Sequence, residues 1–308
     1  MSLFEKVKEI LSSLVETGVF QKEDYELCEE YSLSRLTTFA TGGKALVLFP
    51  EKIEVIKYLF PILVEKKVPY YILGNGSNVI APDEGYNGLI LSTLHMKKVF
   101  VKENTIEAQC GASLTAVASL AQKNSLSGME CLYGIPGTIG GAVFMNAGAY
   151  GGECKDVLSS VTFLTKEGEV KTLPVNELKM GYRTSHFENS GDFILSALFS
   201  LESGEKEEIR SKMDDFMGRR MEKQPLDYPS AGSTFKRCEG RFTAQMIDEA
   251  GLKGARVGGA MVSEKHAGFV INYDNATSSD ILNLIDHVKK VIFEKEGLHI
   301  QCEVRMIG

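Results

Sequence analysis

The chain has 308 residues, 44% hydrophobic and 24% charged, with a formal net charge of −7. These are the proportions of an ordinary globular protein too long for one small core, so two or three domains are expected. The negative balance argues against general nucleic-acid binding, and no apolar run approaches the ~20 residues of a membrane span. Its six cysteines are scattered without CxxC or close Cys/His spacing. That argues against a metal site and against a disulfide framework, leaving reduced thiols in cytoplasm as the expectation.

Phe4, Val7, Ile10, Leu11 and Leu14 recur at helical spacing, which predicts an amphipathic helix ending near Gly18 rather than a signal peptide. A polar stretch follows to about Ser34. Ala45 to Phe49 reads as a buried strand, and Ile53 to Lys67 as a helix that Pro61 kinks or breaks. Tyr70 to Leu73 and Gly88 to Thr93 read as further strands, so the region has strand–helix–strand logic.

From Lys97 the pattern changes. KKVFVKE and NTIEAQCG predict a hairpin, SLTAVASLAQKN a helix, and SVTFLT with EVKTLP a second hairpin across a KEGE turn. FILSALFSLES predicts a strand long enough to cross a sheet. The charged SGEKEE after it marks the clearest domain boundary. Beyond lie a helix to about Lys223, a short strand at STFKRC, a helix at AQMIDEAGL, a strand at GFVINY, an amphipathic helix through Ile281 and Ile292, and a final strand HIQCEVRMIG.

Two glycine-built segments stand out. Residues 134 to 151, GIPGTIGGAVFMNAGAYG, hold six glycines. Upstream, the strand ending at Leu73 runs into Gly74, Asn75, Gly76, Ser77 and Asn78. Glycine lets backbone N–H groups approach a ligand closely, and successive amides facing one concavity make an anion site. Either loop can also be a tight turn, though six glycines exceed what a turn needs. There is no GxxxxGK[ST], and the GxGxxG reading fails because its sixth position is Val79. The pair suggests a large dinucleotide held by backbone. His266 reads as a structural histidine.

TTFATGGKA, LGNGSN, GIPGTIGGAVFMNAGAYG, GYR, KQPLDYPSAGSTFKR, EAGLKGARVGGA, KHAGFVIN and EVRMIG follow in order over nearly the whole chain. Together they resemble the UDP-N-acetylenolpyruvoylglucosamine reductase family. The resemblance implies an α+β fold: a para-cresol methylhydroxylase-type FAD-binding fold of two α/β subdomains plus a C-terminal α+β substrate domain. The corresponding division is an N-terminal helical segment 1–34, FAD-binding subdomains 35–95 and 96–203, and a substrate-binding domain 204–308 whose last strand returns to the active site. FAD contacts are then expected from Leu73, Gly74, Asn75, Gly76, Ser77 and Asn78. A second set is expected from Gly134, Pro136, Gly137, Thr138, Gly140, Gly141, Asn146, Gly148, Ala149 and Gly151. Neither loop carries His or Cys, so the FAD is expected to be non-covalent.

The implied reaction is NADPH-dependent reduction of UDP-N-acetylglucosamine enolpyruvate to UDP-N-acetylmuramate, in cytoplasmic synthesis of peptidoglycan precursors. Arg183 matches the family's cationic residue, Ser233 its proton donor to C2, and Glu303 its catalytic glutamate. To donate toward the developing negative charge Glu303 must be protonated, so its pKa is expected to be raised. Tyr182, Lys223, Arg237 and Gln245 are candidates for the UDP-sugar, with Lys223 near the diphosphate. No metal, membrane, nucleic acid or obligate protein partner is implied. Only 49 residues, 184–232, separate Arg183 from Ser233, which resembles the shorter class of the family without a tyrosine lid. The alternatives are another flavin oxidoreductase of the same fold, such as a sugar-lactone or alcohol oxidase, and a nucleotide-binding regulator without turnover.

Overall fold

A computed structural model describes residues 2–238 and 240–308. In chain order these form α1 (Leu3–Glu16), β1 (Tyr25–Ser32), β2 (Lys44–Pro50), α2 (Ile53–Glu65), β3 (Tyr70–Leu73), β4 (Val79–Ile80) and β5 (Tyr86–Ser92). There follow β6 (Val99–Lys102), β7 (Thr105–Gln109), α3 (Leu114–Lys123), β8 (Leu126–Ser127), α4 (Ile139–Phe144), β9 (Gly148–Ala149) and β10 (Gly152–Glu153). The middle of the chain gives β11 (Leu158–Leu164), β12 (Val170–Pro174), α5 (Phe187–Ser190), β13 (Phe193–Ser200), β14 (Glu202–Ser203) and α6 (Lys206–Lys223). The last part holds α7 (Thr243–Glu249), β15 (Arg256–Val257), β16 (Ala260–Val262), β17 (Val270–Asn272), α8 (Ser278–Glu296) and β18 (Arg305–Met306).

Contacts divide the described residues into two compact units, each assembled from three stretches of chain. One comprises residues 2–29, Leu46–Asn75 and Asn87–Gly218; the other comprises Glu30–Ala45, Gly76–Tyr86 and Arg219–Gly308.

The first unit contains a five-stranded sheet ordered β12-β11-β13-β7-β6, antiparallel throughout. Both expected hairpins are its outer pairs. β13 lies at the centre and is buried along nearly its whole length, as a strand covered on both faces must be. A four-stranded sheet ordered β1-β2-β5-β3 pairs β3 with β5 in parallel. Its strands β1, β2 and β5 run on into the stretches that make up the second unit. One apolar core unites α1, α2, α3 and α4 with both sheets. α1 starts with a capping box, Ser2 Oγ accepting the Glu5 N–H and Glu5 accepting the Ser2 N–H, and buries Val7, Ile10 and Leu11.

The second unit has its own core, in which α7 and α8 cover the sheet β15-β16-β17. α8 buries Ile281, Leu284, Ile285, Val288 and Ile292, a stripe at i, i+3, i+4 spacing. Thr277 and Asp280 form a capping box at its start, and Gly297 ends it in the left-handed conformation.

Several elements differ from expectation. The supposed polar stretch before Ser34 contains β1, an edge strand with no buried residue and therefore no apolar alternation to betray it. α2 runs unbroken through Pro61. The strand expected at STFKRC is reduced to isolated bridges, Phe235 to Cys302 and Cys238 to Arg241, and the expected final strand shrinks to β18, which pairs in parallel with β4. β13 stops at Ser200, and only Glu202 and Ser203 pair again, with β8.

Phe60 of α2 is fully buried and meets Tyr70 of β3 and Phe193 of β13 edge-on, at centroid distances of 5.2 and 5.7 Å. One ring thereby joins a strand of the four-stranded sheet to one of the five-stranded sheet. Phe60→Ala is expected to lower unfolding free energy by about 3–5 kcal/mol, the usual cost of emptying a phenylalanine site in a core. Denaturant titration of the purified protein measures it; a loss under about 1 kcal/mol would mean that the sheets are joined elsewhere.

Candidate active site

β3 delivers the buried Leu73 to the first glycine loop, and the Leu73 carbonyl is fixed by the Thr93 N–H at 2.9 Å. Gly76 is buried with φ 60°, and a Cβ there would lie 1.9 Å from the Leu36 carbonyl oxygen. No side chain can occupy that position. Among the described residues, no protein acceptor takes the N–H groups of Gly74, Asn75, Gly76 or Ser77. Consecutive unengaged amides on a glycine turn fit an anionic group such as a pyrophosphate.

The second segment is more occupied by the protein itself than its glycine content implies. α4 has only six residues. The Ile139 N–H donates to Ala112 O at 2.9 Å, the Gly140 N–H to Cys110 O at 2.8 Å, and the Gly141 N–H to Thr138 Oγ1 at 3.3 Å. These three amides are thus not donors to a ligand, which narrows the anion-site expectation for this run. A Cβ on Gly140 would sit 3.0 Å from Cys110 Cβ and 3.2 Å from its carbonyl oxygen, so Gly140 permits backbone packing. Gly141 is exposed, and its nearest neighbour to an added Cβ is Thr138 Oγ1 at 3.6 Å. It is the position in the helical turn that leaves a close approach open. Gly134 donates to Thr115 Oγ1, Pro136 is exposed, and Gly148 and Ala149 pair with β10 across a turn containing Gly151.

Arg183 belongs to the first unit. Gly181, Tyr182 and Arg183 form a tight loop closed by reciprocal N–H to carbonyl bonds between Gly181 and Thr184, of 3.0 and 3.4 Å. Arg183 has φ 56°, a left-handed conformation costing an ordinary residue roughly 1–2 kcal/mol. Its Nη2 donates to Gly148 O at 3.4 Å, and its guanidinium lies 5.1 Å from the centre of the Tyr182 ring. Glu153 completes the neighbourhood. Its hydrogen bond to Lys155, ahead of the bond from Asn146 and the nearby charge of Arg183, holds its carboxyl below the usual carboxylate range despite partial burial.

Ser233 and Glu303 belong to the second unit. Residues 233–236 run antiparallel to 301–303, joined by Glu303 N–H to Thr234 O at 2.9 Å and Lys236 N–H to Gln301 O at 2.9 Å. Ser233 is exposed and Glu303 half-buried. The loop residue Asn78 lies on the same stretch, with its Nδ2 donating to Glu303 O at 3.1 Å and its carbonyl accepting the Arg305 N–H at 3.0 Å. The structure therefore brings together the end of the first glycine loop, the Ser233 backbone and Glu303.

Sequence reasoning missed the residue that aligns them. Thr234 has no exposed surface; its N–H donates to Gly268 O, its Oγ1 accepts the Val270 N–H, and its carbonyl takes the Glu303 N–H. The one available signal was a threonine lodged between Ser233 and the apolar Phe235.

Of the sugar-nucleotide candidates, Tyr182 lies in the first unit and Lys223, Arg237 and Gln245 in the second. Tyr182 is exposed beside Arg183, and Lys223 is exposed at the end of α6. Arg237 lies over the Phe242 ring at 5.4 Å, and the Gln245 amide is engaged by Glu249 one turn along α7, at 2.7 Å. Burial pushes the Cys110 and Cys154 thiols up to about 12 and the Cys131 thiol to about 11, which removes thiolate chemistry there at neutral pH. Among the described residues no group of three or more His, Cys, Asp and Glu side chains could hold a metal ion.

Residues 44–174 match the family "FAD binding domain", and residues 224–307 match "UDP-N-acetylenolpyruvoylglucosamine reductase, C-terminal domain". The fold and both domains define the chain as an FAD-binding oxidoreductase with the expected α+β architecture. A UDP-N-acetylenolpyruvoylglucosamine reductase of Lactiplantibacillus plantarum is 45% identical over 92% of this chain and 94% of its own length. One from Caldanaerobacter subterraneus is 43% identical over 99% of this chain and 98% of its own. The crystal structure of the Thermus caldophilus UDP-N-acetylenolpyruvylglucosamine reductase superposes with a TM-score of 0.81 at 33% identity, covering 92% of this chain and 100% of that one. The chain belongs to the UDP-N-acetylenolpyruvoylglucosamine reductase family.

The two adjacent glycines of α4 separate packing from ligand approach. Gly140→Val is expected to destabilise the apoprotein, because its side chain meets Cys110 backbone. Gly141→Val should leave apoprotein thermal stability near wild type while abolishing FAD retention, measured by flavin absorbance per chain. A fully flavinated Gly141→Val protein would place the cofactor's approach elsewhere.

His266 is partly buried, and its Nδ1 accepts the Gly268 N–H at 3.1 Å. Desolvation, partly opposed by a backbone hydrogen bond, lowers its pKa below the ordinary histidine value. The unfolded chain then binds a proton at a higher pH than the folded one. Stability from neutral His266 is therefore full above about 6.5 and is lost as pH falls toward the lowered folded value, at no more than about 1.4 kcal/mol per pH unit. His266→Gln should flatten the fall in unfolding free energy between neutral and mildly acid pH; an unchanged slope would assign the acid sensitivity to other groups.

Proposed function

We propose that this chain reduces the enolpyruvyl group of UDP-N-acetylglucosamine enolpyruvate to give UDP-N-acetylmuramate, with NADPH as hydride source, for cytoplasmic peptidoglycan precursor synthesis. Residues 35–95 and 96–203 hold FAD without a covalent link, 204–308 bind the sugar nucleotide, and 1–34 form an N-terminal helical segment. The family matches at 44–174 and 224–307 support an FAD-binding part followed by a C-terminal part for the sugar nucleotide. FAD, when bound, supplies the relay that takes a hydride from NADPH and passes it to C3 of the substrate.

The remaining chemistry falls to side chains. Negative charge builds at C2 and spreads into the substrate carboxylate. Arg183 meets that carboxylate, since its planar fork suits paired oxygens. Glu303, protonated, donates to the same developing charge, and fixed donors of this kind usually carry the largest share of catalysis. Ser233 delivers the proton to C2; a hydroxyl is a weak acid, but a carbanion-like centre is a strong base. Lys223 meets the diphosphate, and Tyr182, Arg237 and Gln245 approach the sugar nucleotide. The observation that carries this reading is the ladder locking Ser233, Glu303 and the end of the glycine loop through Thr234 and Asn78. No helix of the described residues is long and apolar enough to cross a membrane.

Ser233→Ala separates the two halves of the reaction. Accepting hydride from NADPH requires no proton from this hydroxyl, so flavin bleaching should proceed near the wild-type rate. Recovery of the flavin band on adding the enolpyruvyl sugar nucleotide should slow by ~10²–10⁴, the scale for removing a positioned general acid. Stopped-flow absorbance follows both steps on one protein. Normal recovery would assign the proton to water or another group, and slowed bleaching would make Ser233 structural or part of the NADPH contact.

A further inference from the structure

Asn146 has no exposed surface, and its backbone is left-handed, with φ 43°. Both N–H bonds of its side-chain amide are engaged, one by Glu153 Oε2 at 3.0 Å and the other by the Gly181 carbonyl at 2.9 Å. Its Oδ1 accepts the Lys155 N–H at 3.0 Å. An amide offers two donors, so this one has none left for a cofactor. The expectation that grouped Asn146 with flavin contacts gives way to a different role.

Two of these partners, Gly181 and Glu153, lie beside Arg183. Gly181 opens the closed turn that carries Arg183. Two residues beyond it the buried Ser185 donates its hydroxyl to Phe144 O, the last carbonyl of α4, at 2.8 Å. The Arg183 backbone is thus bracketed on both sides by bonds to the end of α4. Glu153 lies on β10, whose partner β9 contributes the Gly148 carbonyl that Arg183 Nη2 touches. Tyr150, at the tip of that hairpin, stacks flat on Phe216 of α6, with 4.9 Å between ring centres. Holding Glu153 therefore holds the surface against which the guanidinium rests.

We infer that Asn146 is a positioning residue for Arg183, fixing at once the turn that carries the arginine and the hairpin its guanidinium contacts. The inference rests on the reading of Arg183 as the cation that meets the substrate carboxylate.

Asn146→Gly tests it, because glycine takes the left-handed backbone without strain and only the amide is lost. The holoprotein should keep its full FAD content and bleach with NADPH at the wild-type rate. Recovery of the flavin band on adding the enolpyruvyl sugar nucleotide should slow about 10²-fold, the scale of a 1 Å misplacement. Binding of UDP-N-acetylmuramate, followed by calorimetry, should weaken about tenfold. In an Arg183→Ala background, Asn146→Gly should change either quantity less than about twofold, because residues acting through one another are not additive. Equal factors in both backgrounds, loss of FAD, or slowed bleaching would overturn the inference, making Asn146 a general structural or flavin residue. Should Asn146→Gly yield no folded holoprotein, Ser185→Ala enters the same cycle with the same readings. A wild-type protein whose flavin band does not recover with the sugar nucleotide would defeat the reaction itself. The calorimetric cycle would still report whether Asn146 acts through Arg183.

Discussion

Irregular backbone stays in one place only when its buried N–H and C=O groups find partners. The three residues assigned to chemistry all lie on such backbone. Arg183 is on a closed turn, Ser233 precedes a single bridge, and Glu303 precedes a two-residue strand. Two buried polar residues supply what regular secondary structure would have supplied. The Asn146 side chain makes three hydrogen bonds, to Gly181 of the Arg183 turn and to Glu153 and Lys155. Thr234 gives its backbone carbonyl to the Glu303 N–H and its Oγ1 to the Val270 N–H. Losing either side chain leaves buried groups unsatisfied at about 1–3 kcal/mol apiece.

How much of this was legible in the sequence depends on whether burial follows a period. α8, β13 and the two hairpins carried apolar spacing that matches their buried faces, and they form where expected. β1 escaped because an edge strand with residues such as Glu26, Glu29 and Glu30 buries nothing completely. α2 passes Pro61 because Val55, Ile56, Leu59, Phe60 and Leu63 all pack into the core, which outweighs one missing N–H. Glycine content drew attention to both loops but could not say which glycines are needed for packing and which have open space beside them. That distinction between Gly140 and Gly141 exists only in the distance to Cys110. Asn146 and Thr234 were hidden for the same reason: a polar residue amid small or apolar neighbours reads as a ligand or as nothing, and only burial reveals it as a brace.

Electrostatics around Arg183 follow from this bracing. A carboxylate held low by Lys155, and itself close to the guanidinium, makes Glu153 an anion across the neutral range. It balances part of the arginine charge, and the hairpin that carries it also gives the Gly148 carbonyl to which the guanidinium donates.

α4 then has two roles that its sequence alone does not separate. At six residues it spans about 9 Å. Its first turn exposes Gly141, where a cofactor can approach backbone. Its far end presents the Phe144 carbonyl and the Asn146 amide to the segment bearing Arg183. A helix of under two turns, pinned at its start by Ala112 and Cys110 and at its end by Ser185 and Gly181, has little room to tilt. The end of the glycine run therefore fixes the Arg183 turn relative to Gly141, within one compact unit.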